Sequence, residues 1–416
     1  MNFTIIADDL TGACDTGIQL VPYGIQPSVM LESFLTDDTS DSIVINTDTR
    51  PMEPKAAYQT VSELLERSKV KGRETLLYKK IDSTMRGNIG AEIDAIYDYI
   101  RPDFVFIVPG HPANGRQIIN GYHMLNRKIL QETEVSADPT HPILSSNITE
   151  LISKQSQQPI HHIYADSLQD GEDAFVAMLD QMKNKGINYI TFDSVSEQDL
   201  EMIASLIQYQ PYSYFCVGSA GLLSHLPKAL GYEKIPHSPP VERRSGSKLF
   251  IIGSVSTLGR RQLEKLLQQN EVSAIEIDYF SDEQAEEGWI LTKVTNELAN
   301  ERHIVLFSSP DREKSQAFCD TNGKSMSAVG ELIADNLGMQ AQRILSRFPI
   351  STLFLTGGET AQKVMKYMDI NCLTLLDELE PGVPVCKVDS EEEMRVITKA
   401  GNFGTEEVMI KVLNRL

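Results

Sequence analysis

KKIDSTMRGNIG, residues 79–90, is the stretch that decides how the chain is read. It gathers two lysines, an aspartate, two hydroxyls, an arginine and two glycines on one short segment. Residues 75–78, just before it, read as the end of a buried strand. After it, Ile89, Ile93, Ile96 and Ile100 fall at i, i+4, i+7 and i+11, one stripe of a helix. The polar cluster is therefore expected on a strand-to-helix turn, at the carboxyl end of a strand, where open α/β sheets bind ligands. Lysine and arginine supply charge for an anion, and Gly87 lets backbone N–H groups approach it. A solvated βα loop would be equally polar, so the neighbouring segments have to decide.

They repeat the pattern. Residues 3–7 form a short apolar strand followed by Asp8 and Asp9, with Thr11 placed to N-cap the next helix. Adjacent aspartates at a strand end suit metal binding, hydrogen bonds to sugar hydroxyls or proton abstraction. They equally suit the start of a helix, whose dipole favours carboxylates. Residues 42–46 are a second strand, ending in Thr47, Asp48, Thr49 and Arg50. Residues 104–108 are another, ending in PGHPANGR at 109–116. In a parallel sheet these loops converge on one edge and build one pocket. Residues 122–125 and 128–131 read as a hairpin about Asn126-Arg127. His141, between prolines, reads as structural.

The chain has 416 residues, 41% hydrophobic and 23% charged, which suits a globular protein of two or three domains. A net charge of −20 argues against nucleic-acid or membrane-surface partners, both of which want a basic face. The five cysteines show no CxxC spacing and read as reduced thiols. Met1 leads directly into a strand and no apolar run is long enough to span a bilayer, so a soluble, cytoplasmic protein is expected.

Residues 235–248, IPHSPPVERRSGSK, have linker composition and place the domain boundary. The expected fold class is α/β: two α/β domains with mainly parallel sheets, residues 1–236 and 248–416, joined by a linker at 237–247. In the second domain GSVS (253–256) follows a strand, and TGGET (356–360) follows another and opens a helix. Such turns suit phosphate, through glycine backbone, hydroxyls and helix N-terminal N–H groups. Neither a Walker GxxxxGK[ST] nor a GxGxxG turn is present. Lys399, in TKAGNFG (398–404), again suits phosphate.

Taken in order, IADDLTGACD (6–15), TDTR (47–50), KKIDSTMRGNIGAE (79–92), PANGR (112–116), GSAGL (218–222), GSVS, TGGET, EPGVP (380–384) and TKAGNFG resemble the four-carbon acid sugar kinase family across nearly the whole chain. The resemblance implies an N-terminal acid-sugar domain, a C-terminal nucleotide domain and an active site in the cleft between them. It implies ATP and Mg²⁺ as cofactors, a small sugar acid as partner, and a homodimer. Substrate contacts are then expected at Asp8, Asp9, Arg50, Lys80, Ile81, Asp82, Ser83, Arg86, Asn114 and Arg116. Nucleotide contacts are expected at Ser254, Ser256, Gly357, Gly358, Glu359, Thr360, Lys399, Gly401, Asn402 and Gly404; no metal ligand is assigned. Asn402 stands where the family usually has glycine, and Gly110-His111 where related chains often carry an apolar or aromatic pair.

Residue chemistry adds roles. Arg50 or Arg86 can clamp a substrate carboxylate bidentately. Asp8, Asp9 and Asp82 can bind hydroxyls, with Asp9 the expected base. Lys80 and Lys399 stabilise charge in a reaction that needs in-line positioning above all. Asp9, Lys80, Asp82 and Arg86 are thus the expected catalytic group. D-threonate, giving 4-phospho-D-threonate, is the expected substrate, ahead of D-erythronate and 3-oxo-tetronates. A nicotinamide oxidoreductase would need a GxGxxG turn. A non-catalytic sensor would have no need of the TGGET and TKAGNFG turns.

Overall fold

The computed structural model describes residues 2–31, 42–68, 75–137, 142–235, 245–253, 256–277, 283–308, 312–323, 325–388 and 394–416. The chain divides into two compact units, Met1–Pro236 and His237–Leu416. Both are α/β. Ser254, His141 and most of the linker stretch lie outside the described residues.

The strands of the first unit are β1 (Asn2–Ala7), β2 (Ser28–Met30), β3 (Ile43–Asn46), β4 (Thr75–Lys80), β5 (Phe104–Val108), β6 (Arg116–Ile119), β7 (Tyr122–Leu125), β8 (Lys128–Ile129), β9 (Ile160–Ile163), β10 (Tyr189–Phe192) and β11 (Tyr214–Gly218). Its main sheet runs β2-β3-β1-β4-β11-β5-β10-β9, and every pairing in it is parallel. Helices cover a parallel sheet on both faces, so its strands are apolar throughout and not alternating, as FVFIV in β5 shows. The isoleucine stripe read from the sequence packs as expected: Ile89, Ile93 and Ile96 of the helix Ile89–Ile100 are buried against Ile6, Leu77, Val105 and Val217.

Two boundaries differ from the sequence reading. β4 runs on through Lys79 and Lys80, because parallel pairing with β1 continues to Ala7↔Lys80. Both lysines are therefore strand residues and not turn residues. The hairpin is real, with Asn126 and Arg127 at positive φ, but it belongs to a three-stranded sheet β6-β7-β8. Arg116 opens that sheet's first strand and does not close a loop.

The second unit contains β12 (Ser247–Ile252), β13 (Val272–Glu276), β14 (His303–Phe307), β15 (Ile350–Thr356), β16 (Cys372–Glu380), β17 (Val383–Val388) and β18 (Arg395–Lys399). The order β13-β14-β12-β15-β18 is parallel, and β17 and β16 add antiparallel strands beyond β18. Phe250, Val305, Phe354 and Ile397 make its core with Val408 and Val412 of the helix Val408–Arg415. The turns after β12, β15 and β18 fall side by side at one sheet edge.

Candidate functional site

In the first unit the ends of β1 and β3 meet through Arg50. Its Nε donates to Asp8 Oδ2 (2.7 Å) and its Nη1 to Asp9 Oδ2 (2.8 Å). Nη2 reaches both carboxylates, Asp8 Oδ1 and Asp9 Oδ1, each at 2.8 Å. Burial opposes the charge on Asp8, but Arg50, followed by Lys79, holds its carboxyl below the usual range. Asp9 also caps the helix Leu10–Gly17: Gly12 N donates to Oδ1 (3.0 Å) and Thr11 Oγ1 to Oδ2 (2.7 Å). So Asp9 is the N-cap, not Thr11, which lies inside the helix. Gly12 is a close approach: a Cβ there would overlap Asp9 Oδ1 and lie 2.8 Å from Lys80 Nζ.

These contacts bear on two expected roles. Arg50 makes four donor contacts to aspartates, so it ties the ends of β1 and β3 together. Asp9 accepts four hydrogen bonds, two on each oxygen.

On β4, Lys79 and Lys80 point to different environments, as alternation along a strand requires. Lys79 is wholly buried, its Nζ 2.5 Å from Glu92 Oε2. Glu92 Oε1 accepts from Thr49 Oγ1 (2.6 Å), which contacts Thr47 Oγ1 (2.7 Å). Burial, reinforced by Asp8, pushes the Glu92 carboxyl up against the pull of Lys79. Lys80 is also buried, yet its Nζ donates no hydrogen bond to any described residue. Past the strand, Asp82 takes Arg86 Nε (2.8 Å) and Nη2 (3.1 Å) together with Thr84 Oγ1 (2.5 Å). Burial opposes ionisation of Asp82, and Arg86, then Arg50, overcome it and hold it well below the ordinary range. Arg86 thus shares Arg50's fate, as partner to an aspartate. Ile81 is buried with its N–H on Gly218 O, and Ser83 O receives His123.

Arg116 Nη1 donates to Asn114 O, and Asn114 Nδ2 lies 3.3 Å from the His111 ring. Burial pushes His111 down to about 4, so it is neutral at pH 7; Arg116 and Lys80 lower it further. A cavity of about 220 Å³ opens beside Arg86, walled by Met85, Ile143, Leu144 and Leu151. Asp8, Asp9, Arg50 and Lys80 are not part of its wall.

In the second unit the three expected turns are tied together. Gly253 N donates to Thr356 O (3.0 Å), and Gly357 N to Lys399 O (3.3 Å). Ser256 caps the helix Thr257–Leu267 and donates to Gly401 O (2.8 Å). Lys399 Nζ donates to Gly401 O (3.1 Å) and Thr356 Oγ1 (3.3 Å). Its ammonium is buried, which pushes it down to about 7 against the opposing charge of Glu380. Gly357 adopts φ 101°, open to glycine, and N-caps the helix Gly358–Tyr367 with no side-chain cap. A helix start of this kind, beside the Lys399 side chain, has the chemistry of an anion-binding turn. Gly404 is also at positive φ, 76°. The backbone path at Asn402 is fixed by Gln262, whose Nε2 donates to Phe403 O (3.1 Å) and Thr405 O (2.9 Å). Glu380 accepts from Thr405 Oγ1 (2.8 Å) and from Lys411.

Sequence reading passed over Gln262, Glu92, His123 and Asp15. Glu92 and Asp15 sit inside quoted motifs, but nothing in a linear string says which carboxylates are paired. Gln262 has no local signal at all, since its partners lie some 140 residues on.

A family model described as "Sugar-binding N-terminal domain" matches residues 3–226, and one described as "Nucleotide-binding C-terminal domain" matches residues 249–409. The chain is 33% identical to the D-threonate kinase of Salmonella typhimurium, over 99% of this chain and 98% of that one. It is 28% identical to the D-erythronate kinase of Heliobacterium modesticaldum, over 98% and 95%. A solved structure from Salmonella typhimurium LT2 shares the fold with a TM-score of 0.81 at 23% identity, covering 99% of both chains. With these relatives named as kinases of four-carbon sugar acids, the chain is a phosphotransferase with an alcohol group as acceptor. The chain belongs to the four-carbon acid sugar kinase family. Among the described residues no helix is long and apolar enough to cross a membrane.

Proposed function

We propose that this enzyme transfers the γ-phosphoryl group of ATP to a hydroxyl of a four-carbon sugar acid, D-threonate first, giving 4-phospho-D-threonate. The observation that carries the kinase reading is the cradle of the second unit: an uncapped helix N-terminus beside Lys399, with Ser256 and Gly401 closing the turn. The choice of D-threonate is supported by the 33% identity to a D-threonate kinase. D-erythronate and 3-oxo-tetronates are the competing acids.

In this proposal Met1–Pro236 is the acid-sugar-binding unit and His237–Leu416 the nucleotide-binding unit. Ser256, Gly357, Gly358, Glu359, Thr360, Lys399, Gly401, Asn402 and Gly404 hold the nucleotide. Lys80 supplies the positive charge that meets the substrate anion, because its ammonium is buried and unspent on described neighbours. Asp8, Asp9 and Arg50 form a rigid polar floor; Ile81, Asp82, Ser83, Arg86, Asn114 and Arg116 complete the wall. Mg²⁺ enters with the nucleotide as Mg-ATP. Among the described residues no group of three or more His, Cys, Asp or Glu is placed to cage an ion, and Mg²⁺ on phosphate oxygens needs no such cage.

The test is coupled ADP release with Mg-ATP against D-threonate, D-erythronate, their L-isomers and oxo-tetronates. Saturable turnover with kcat/KM highest on D-threonate is expected. A higher value on another four-carbon acid reassigns the substrate, and silence on all of them overturns the reading.

A further inference from the structure

Four carboxylates at and just beyond the ends of β1 and β4 are occupied, and one close to them is not. Asp8 is held by Arg50, Asp9 by Arg50, Gly12 and Thr11, Asp82 by Arg86 and Thr84, and Glu92 by Lys79 and Thr49. Asp15 differs. It lies on the helix Leu10–Gly17 that Asp9 caps, and its side chain is half-buried. Its Oδ1 is covered and accepts no hydrogen bond; among the described residues it is the one carboxylate oxygen in that condition. Among the described residues Oδ2 makes no hydrogen bond either.

A carboxylate kept for structure is normally satisfied, because an unpaired buried charge is costly. The groups that face this one are Lys80 and Tyr78 of β4, Asp9 at the helix start, Asp82 beyond β4, and Arg116 of β6. It therefore borders the same cluster as the unspent ammonium of Lys80. Burial, with the charges of Asp9 and Asp82 adding to it, pushes its carboxyl up to about 6, against Lys80 and Arg116. A general base needs an open lone pair and a proton affinity near the working pH.

We propose that Asp15 is the general base of the reaction, a role that rests on the kinase reading above. As the substrate oxygen forms its bond to Pγ, its proton passes to Asp15 Oδ2. The bond between Pγ and the β,γ-bridging oxygen breaks, and ADP leaves with that electron pair. Lys80 holds the substrate anion beside the base.

The test compares wild type, Asp15→Asn and Asp15→Glu in full chains, by kcat, KM for the acid and the pH profile of kcat/KM. Wild type is expected to show an acid limb near pH 6. Asp15→Asn is expected to lose about 10²- to 10⁴-fold in kcat, with KM for the acid changed less than about fivefold, and to lose that limb. Asp15→Glu is expected to retain part of the rate with a displaced limb. An active wild type alongside an Asp15→Asn variant within about threefold of its kcat overturns the assignment while leaving the kinase reading standing. Should Asp15→Asn fail to fold, an unshifted limb in Asp15→Glu overturns it equally. A wild type silent on every acid overturns both.

Discussion

Thr360 fills the space beside Gly253: a Cβ on Gly253 would overlap Thr360 Oγ1 and lie 2.8 Å from its Cβ. Turns more than a hundred residues apart in sequence are thus fitted to each other at atomic contact. Gly253→Ala should displace the start of the helix Gly358–Tyr367 and weaken ATP at least about tenfold. Overpacking of this kind costs roughly 1–3 kcal/mol. Calorimetric titration with ATP and a thermal melt would read both, and unchanged nucleotide affinity would detach Gly253 from the cradle.

Lys399 gives the nucleotide site a pH signature. Its ammonium is held at about 7, whereas an unfolded lysine titrates near about 10.4. Between those values the unfolded chain carries a proton that the native chain lacks, so Lys399's contribution to stability rises with pH through that window. Nucleotide binding runs the other way, since phosphate favours the protonated form. ATP affinity should fall by up to about tenfold per pH unit above 7, with proton uptake on binding. Calorimetry in two buffers of different ionisation enthalpy measures that uptake, and Lys399→Met should abolish it.

Arg50→Ala should strand the buried carboxylate of Asp8 and the partly buried one of Asp9. Removing one partner of a buried pair costs about 3–5 kcal/mol. Asp8 is held below its unfolded value, so its contribution is present above that value and lost as pH falls through the native one. The variant should therefore unfold in less urea at pH 7, and its acid midpoint should move to higher pH. Arg50→Lys restores charge but not the fork, and should recover stability better than activity.

Gln262→Leu probes the loop at Asn402. It removes the donor to Phe403 O and Thr405 O, and also an oxygen, Oε1, that has no partner. The expected result is a three- to tenfold higher KM for ATP with stability changed by about 1 kcal/mol or less. Steady-state kinetics beside a urea titration would show it; an unmoved KM would make Gln262 packing alone.

Much of the fold was legible because buried parallel strands are written as apolar runs and end in polar residues. The isoleucines at 89, 93 and 96 gave the helix, and the glycines at 357 and 404 gave the turns. Pairing was not legible. Arg50 reads as a free clamp, and its four contacts to Asp8 and Asp9 are invisible in the string; Thr11 reads as a cap until Asp9 takes the position. Lys79 and Lys80 are adjacent letters with opposite fates, one neutralised by Glu92 and one unspent, because strand alternation sends them apart. A linear string carries residue chemistry; which hydrogen bonds are already made is a property of three dimensions.

β11 sits between β4 and β5, pairing Cys216 with Tyr78 on one side and with Phe106 on the other. In a growing or refolding chain, β4 and β5 therefore wait with unpaired edges while the whole β6–β10 region forms. Such distant parallel pairing is slow, and bare apolar edges invite the wrong neighbour. Insertion of this one strand joins segments more than a hundred residues apart, and until it pairs two central apolar edges stay open to intermolecular contact.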